Sequence, residues 1–467
     1  MTSSLSGLDS LQCEFVVPDA STLSPISRWS DTQIGRPALV VTPKTEKDVQ
    51  AAIRIAKDNK LTVVVAGGGH GTFVRVGSST LYLDLKHFQT IDLNKEQGTV
   101  RVGGAALSGD VLKTLTAQGY YTLIPNANAV GFVGCVLGGG NTALVGLHGW
   151  MVDNLVSFRI VTVEGDVIEI SSSSKGKELA LFNALCGAGQ GLGVITEVTT
   201  SAYPVSDLNM EEDKIWTRTL IFPGSAIEVA AQTFLDLSHP SAEGYISMVY
   251  MRSPPGTPAA GAPIIAIGYM FFGPAQKAEK EAALLLKDDI VGKAVMAKSD
   301  LLPMANINDK NDPYNYHGGH KAIASCRLTK MDTRAIKAGF DKWVAATQEY
   351  SDARKTILVT SAFNTTKSEG LGEGKFVNSR DRPLHVFIAA ICDKEETMVS
   401  FTEVMDDTMA EYRKSDEGAV PRSFTNNLRF ETDLHEMLDE EKLEELREVK
   451  KTWDAEGVFW SPYSKSG

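Results

Sequence analysis

Hydrophobic patterning is first regular in RPALVVTPKTEKDVQAAIRIAKDNKLTVVVAGGG. Apolar residues run together in ALVV and TVVVA, and between these runs they recur with a 3.6-residue period from Lys47 to Ala56. This predicts strand, turn at Pro43, helix, strand, with Thr45 as the helix N-cap. Beyond the glycines, Val76 and the alternating Leu81, Leu83 and Leu85 predict a further strand instead of an amphipathic helix. GTVRVGGAA continues the β-rich stretch, SGDVLKTLTAQG predicts a helix stopped by Gly119, and VSFRIVTV with DVIEIS predicts a hairpin turning at Glu164-Gly165. A helix over KELALFNALC leads through GAGQGLG into a strand from Val194 to Thr200.

Roughly residues 206–430 alternate strands (YISMVYM, IIAIGYMFF, TILVTSAF, PLHVFIAAI) with amphipathic helices (SAIEVAAQTFLDL, DTRAIKAGFDKWVAAT, ETMVSFTEVMDDTMAEY), which predicts one sheet backed by helices. The C-terminal run LDEEKLEELREVKKTWDAEGVFW predicts a charged helix with Glu and Lys pairs four apart, ended by Gly457. Its Val-Phe-Trp anchor is expected to dock on another domain.

The 467 residues suffice for two or three cores, and 43% hydrophobic with 22% charged residues is ordinary for a globular enzyme. A net charge of -12 disfavours nucleic acid as a partner, because that affinity rests on cationic residues neutralising phosphates. Cys13, Cys135, Cys186, Cys326 and Cys392 are scattered and odd in number, which suggests neither a disulfide framework nor a zinc site. With no basic segment leading an apolar run at the start, and no apolar stretch long enough to span a membrane, a cytoplasmic location is expected.

The chemistry concentrates at LTVVVAGGGHGTF. Glycines at 67, 68 and 69 let peptide N–H groups turn inward and cradle a diphosphate, with His70 beside the ligand. On these residues alone an ordinary strand-ending turn with a solvated histidine stays open. A Rossmann loop does not fit: counting six from Gly67 reaches Thr72, from Gly69 reaches Val74, and from Gly187 reaches Leu192.

In chain order, RPALVVTPKTEKDVQAAIRIAK, VVVAGGGHGTFV, VGFVGCVLGGG, HGWMVDNLVSFRIVTVEGDVIEIS, LFNALCGAGQGLGVITEV and WDAEGVFW resemble the vanillyl-alcohol oxidase and p-cresol methylhydroxylase-type FAD-linked oxidoreductases. Within that superfamily they resemble the berberine-bridge-enzyme-like group of fungal specialised metabolism. The resemblance implies an α+β protein: an N-terminal segment (1–35), an FAD-binding domain of two α+β subdomains (36–205), a substrate domain with an antiparallel sheet (206–430), and a C-terminal segment returning to the FAD domain (431–467). It implies FAD attached through His70, with Ala66, Gly67, Gly68, Gly69, Gly71 and Thr72 around the pyrophosphate. Val130, Gly131, Gly134, Cys135, Gly139 and Asn141 would line the flavin, and Val194 and Ile195 the adenosine half.

Two departures shape the expected chemistry. Bicovalent relatives carry a cysteine where this chain has Ala127, so a single linkage is expected and Cys135 is read as a packed thiol. The relatives' Tyr-x-Asn matches Phe424-Thr425-Asn426, and Phe cannot accept a proton. Candidates for the base are Tyr314, Tyr316 and His317, with His320 and Asn426 nearby in role, and a metal on His317 and His320 lacks a third ligand. Tyr245 and Tyr250, an odd number apart, should face opposite sides of one strand. Arg380 is a candidate for the cofactor side. The resemblance implies hydride transfer from a small organic substrate to flavin N5, and the small Val130 favours O2 as acceptor. A flavin-templated cyclase with little net redox chemistry and a flavin carrier without catalysis remain open; no membrane partner is expected.

Overall fold

A computed structural model describes residues 5–19 and 26–464. The helix Glu46–Asp58 begins at Thr45, whose hydroxyl accepts from the Asp48 amide while the Asp48 carboxylate accepts from the Thr45 amide at 2.9 Å. This reciprocal cap satisfies two amides that the first helical turn leaves without partners. The helix buries Val49, Ala52, Ile53 and Ala56 against a four-stranded sheet in the order Glu14–Val16, Leu39–Thr42, Thr80–Asp84, Thr62–Ala66. The last two strands are parallel neighbours, with Thr62 opposite Thr80. Parallel neighbours need a crossover, usually a helix. Here residues 67–79 make it without one, so the peptide groups after Ala66 are not used up in helical hydrogen bonds.

A second, antiparallel sheet runs Ile91–Asn94, Thr99–Gly103, Val194–Ser201, Leu155–Val161, Val167–Ser171. The hairpin at its edge turns at Gly165, which holds a φ of 87°. The third sheet is antiparallel and seven-stranded: Met296–Pro303, Lys214–Pro223, Pro263–Phe271, Gly244–Arg252, Ile357–Phe363, Leu384–Cys392, His320–Leu328. The α+β class and the helix-backed sheet follow the expected pattern. Patterning missed three of these strands. Met296–Pro303 is a charged, exposed edge, and His320–Leu328 carries Lys321 and Arg327 within otherwise apolar sequence.

Alternation divides the third sheet's faces. Ile246, Met248, Tyr250, Ile267 and Cys326 join Phe234, Ile336, Trp343 and Phe401 of the covering helices. Tyr245, Met270 and Phe363 face the other way, into the core shared with residues 73–208. Tyr245 and Tyr250 therefore lie on opposite faces, and the Tyr250 hydroxyl donates to the Ile336 carbonyl on the helix side.

The last helix, Glu440–Trp453, stops earlier than Gly457 would place it. Its cap is Asp454, a buried carboxylate that accepts from the amides of Val458 and Phe459 at 2.8 and 2.9 Å. The turn this creates lays the apolar anchor beside the edge strand: Val63 donates to the Val458 carbonyl, and Trp460 donates to that of Val63.

Arg380, a candidate for the cofactor side, is a clamp instead. Its guanidinium grips Asp153 at 2.6 and 2.9 Å, and Lys375 adds a third contact at 3.3 Å. Asp153 is 1% exposed and also accepts from the Trp150 amide, so it ties the segment Met151–Asn154 to residues 375–380. Asp153→Ala would leave two cations without their buried counterion. We expect a loss of about 3–5 kcal/mol of unfolding free energy, measured by denaturant titration.

Candidate active site

The loop after Ala66 is held by contacts only glycine allows. A methyl group on Gly67 would lie 2.8 Å from the Gly104 carbonyl oxygen, and one on Gly68 would overlap the Gly131 amide nitrogen. From the opposite side, a methyl on Gly131 would lie 2.6 Å from the Gly68 nitrogen. Gly104 in turn rests on the Ile195 carbonyl. The first loop, the second loop and the strand starting at Val194 therefore meet backbone to backbone. Gly69 adds a φ of 70° that turns the chain toward His70. Ala66 is buried beneath this turn, and Val194 and Ile195 contribute side chains to the cores on either side.

His70 is walled in by the N-terminal segment. Its ring stacks on Trp29 at 5.4 Å and meets the edge of His317 at 6.0 Å. Trp29 is fixed because its amide donates to the Gly69 carbonyl and its indole N–H to that of Tyr314. Arg28 donates to the Gly71 carbonyl at 2.6 Å, just before Thr72. Burial, then His317, Arg28 and Lys321, push the His70 imidazole down to about 3, so it is neutral at physiological pH. Its buried Nε2 has no hydrogen-bond partner among the described residues.

The second loop starts the short helix Phe132–Leu137. The Val130 carbonyl accepts from the Ser108 amide and hydroxyl, and Cys135 packs in the core with its thiol pushed up to about 12 by burial. A methyl on Gly134 would meet nothing within 4 Å, and the buried Asn141 Oδ1 is unpartnered among the described residues. Gly139, at a φ of 100°, lies against Trp150. Asn426 is a strut: it donates to the Cys135 carbonyl at 2.9 Å and accepts from the Gly140 amide at 3.2 Å. Phe424 is buried with its ring edge-on to Trp150 and His385.

The other proton-acceptor candidates gather at His70. His317 exchanges a hydrogen bond with Ser27 at 2.8 Å, and the exposed Tyr316 ring lies under the Lys321 ammonium at 3.8 Å. His320 opens a strand, with a buried, unpartnered Nδ1. Among the described residues, no hydrogen bond or ring contact joins Tyr314, Tyr316 or His317 to Phe424.

Beside Phe424, sequence reasoning missed a polar row. One residue from each strand of the third sheet lines up in register: Arg327, His385, Ser361, Ser247, Gly268, Thr219, Lys298. The flanking row on the same face contains Phe363, Tyr245 and Met270, which face the core shared with residues 73–208. The Tyr245 hydroxyl donates to Ser361 at 3.0 Å, and His385 Nε2 lies 3.4 Å from the Asn427 amide nitrogen. Burial, with Arg327 adding to it, holds His385 well below the ordinary histidine range. Its signal in the sequence is a polar residue at one alternate position of PLHVFIAAI; the position of Lys310, discussed below, leaves no such trace.

Glycine-only backbone contacts, unpartnered polar atoms on His70 and Asn141, and open space at Gly134 make a fitting cradle for a large polar cofactor. These features belong to the flavoprotein class, and residues 37–171 match the family model described as "FAD binding domain". Over 463 residues the chain is 26% identical to FAD-linked oxidoreductase hasG of Aspergillus fumigatus, covering 94% of this chain and 93% of that one. The fold is shared with Physcomitrella patens BBE-like 1 (TM-score 0.78, 19% identity, 97% of each chain). It is also shared with the glucooligosaccharide oxidase of Acremonium strictum, described with a 6-S-cysteinyl, 8α-N1-histidyl FAD (TM-score 0.76, 19% identity, 94% of this chain and 93% of that one). The chain thus carries an FAD-binding domain, is similar along nearly its whole length to a fungal FAD-linked oxidoreductase, and shares its fold with a BBE-like protein. No described helix is long and apolar enough to cross a membrane.

Burial of neutral histidines carries a pH signature. His148, hydrogen-bonded to the Tyr121 hydroxyl at 2.8 Å and stacked on Tyr203, is pushed down to about 4 by burial. With the folded pKa below the unfolded one, its stabilisation is present above the unfolded value and lost as pH falls through it. Between pH 7 and pH 5 His148 should cost the flavin-free protein about 2 kcal/mol of stability. Denaturant titrations at both pH values should show a correspondingly smaller drop in His148→Gln.

Proposed function

We propose that this protein is an FAD-dependent oxidase of a small organic molecule, with the flavin attached through His70 alone. The observation that carries this reading is the pairing of a glycine cradle and a neutral imidazole, unpartnered among the described residues, with a polar row beside Phe424. The amides of Gly67 to Gly71 would hold the diphosphate, while Gly131, Gly134, Gly139 and Asn141 would border the ring system. When bound, FAD would supply two-electron redox chemistry, with O2 as the electron acceptor and hydrogen peroxide as the by-product. The chain's own residues position the substrate and take its proton.

For that proton we assign His385. Burial keeps its imidazole unprotonated, its Nε2 accepts from the Asn427 side-chain amide at 3.4 Å and would have to exchange that weak contact for the substrate proton, and the ring lies edge-on to the phenylalanine that replaces the relatives' tyrosine. Asn427 orients the ring, and Asn426 fixes the intervening turn to the second loop. Attachment through one residue is supported by Ala127, which offers no thiol, and by the burial of Cys135.

Phe424 also favours a second reading, a flavin-templated cyclase. Anaerobic mixing with substrate separates the two: an oxidase bleaches the yellow absorbance, whereas a cyclase forms product with the flavin still oxidised. In the first case His385→Asn should slow bleaching by about 100-fold or more, the usual scale for loss of a general base. Separately, acid-precipitated wild-type protein should keep its colour in the pellet, and His70→Ala should release it; colour lost from the wild-type pellet contradicts covalent attachment.

A further inference from the structure

Lys310 stands in the short turn Asp309–Tyr314, on the connection between the strands Met296–Pro303 and His320–Leu328. Its ammonium overlies the middle of the third sheet, 4.0 Å from where a β-carbon on Gly268 would lie. The Ser247 hydroxyl is 3.5 Å from the same point. Gly268 sits mid-strand and is not among the glycines with positive φ, so the backbone does not require glycine there. What its missing side chain provides is room above the polar row.

Among the described residues the ammonium in that room makes no ion pair. Lys310 is exposed, so its amine is open to a ligand arriving over this face of the sheet. The adjacent acids turn away, Asp309 to Asn128 and Asn306, Asp312 to Asn128 and Asn315. Arg327, at the far end of the row, is the buried cation. It is fully buried, its Nε and Nη1 have no partner among the described residues, and its Nη2 donates to the Arg382 carbonyl. No acid stands in the row between them, in a chain whose net charge is -12. A buried cation without a counterion is costly, as at Arg327, and an anion lying over the row would be attracted by both Arg327 and the exposed Lys310 ammonium.

We propose that the substrate carries a carboxylate, bound by Lys310 with the Ser247 hydroxyl on the cofactor-facing side of the sheet, in a cleft made electropositive by Arg327. This rests on the cleft being the substrate site of the FAD enzyme described above, and it names the substrate's chemical class. The row is about 5 Å per strand, so three strands separate the Lys310 notch from His385 by about 15 Å, a span that calls for an extended acid with about ten or more bonds between its carboxylate and the reacting carbon.

The test uses the full-length, FAD-loaded protein and flavin absorbance. It is titrated anaerobically with benzoate, phenylacetate and 4-hydroxybenzoate, and with the amide of each. The carboxylates should perturb the flavin spectrum with a Kd at least about tenfold below that of their amides. Lys310→Met should erase that preference, Lys310→Arg should keep it, and Ser247→Ala should weaken it while the flavin spectrum of each free variant stays unchanged. Equal binding of acids and amides, no response to any carboxylate at millimolar concentration, or an undiminished preference in Lys310→Met would overturn the proposal. Substrate-dependent bleaching that persists alongside any of these results would leave the oxidase reading intact and refute this inference alone. Purified protein that takes up no FAD contradicts both.

Discussion

The contact on which the molecule depends is the approach of two backbones at Gly68 and Gly131. Neither position has space for a β-carbon, and each excludes it through the other's amide. Below this contact Gly67 rests on Gly104 and Gly104 on Ile195, so the parallel sheet and the antiparallel sheet are joined through main chain. Side chains at these points would separate the sheets and aim the loop amides elsewhere. The helix-free crossover at 67–79 has the same result, because the peptide groups that a helix would have consumed stay available at the carboxyl end of the strand Thr62–Ala66.

Around that contact, the groups that hold the fold are partnered, whereas several atoms facing the cleft are not. Asp153 gathers Arg380, Lys375 and the Trp150 amide; Asn426 spans Cys135 and Gly140; Ser30 exchanges hydrogen bonds with both backbone groups of Lys321. Each bridges segments far apart in sequence. By contrast His70 Nε2, Asn141 Oδ1 and two nitrogens of Arg327 are buried without partners among the described residues. Buried polar groups are ordinarily hydrogen-bonded, so a set of exceptions gathered between a glycine cradle and a polar sheet face marks the place a ligand completes.

Much of the first half was legible because its signals are local. The Thr45 cap, the glycine run and the Glu164-Gly165 turn each act within a few residues, and the alternation of Leu81, Leu83 and Leu85 predicted a strand instead of a helix after the glycines. The sheet face was not legible. Register aligns Arg327, His385, Ser361 and Ser247 from four strands, and a linear pattern carries no information on which strand lies beside which. Arg380 looked like a cofactor contact because an arginine in a polar run has no visible partner until Asp153 is brought to it from 227 residues away. The Tyr314 to His320 run held the right chemical types, but the strand that begins at His320 brings them to His70 and away from Phe424.

The account's central claim is that one cofactor spans the cleft, from the Gly67–Gly71 loop to the polar row. A crystal structure of the FAD-loaded protein tests it most directly. The account predicts diphosphate density beneath the Gly67–Gly71 amides, the dimethylbenzene edge within bonding distance of His70, and the reactive face of the ring turned toward His385 and Ser361. A flavin ring bound away from His70, or one whose reactive face meets a different wall than the seven-stranded sheet, would contradict it.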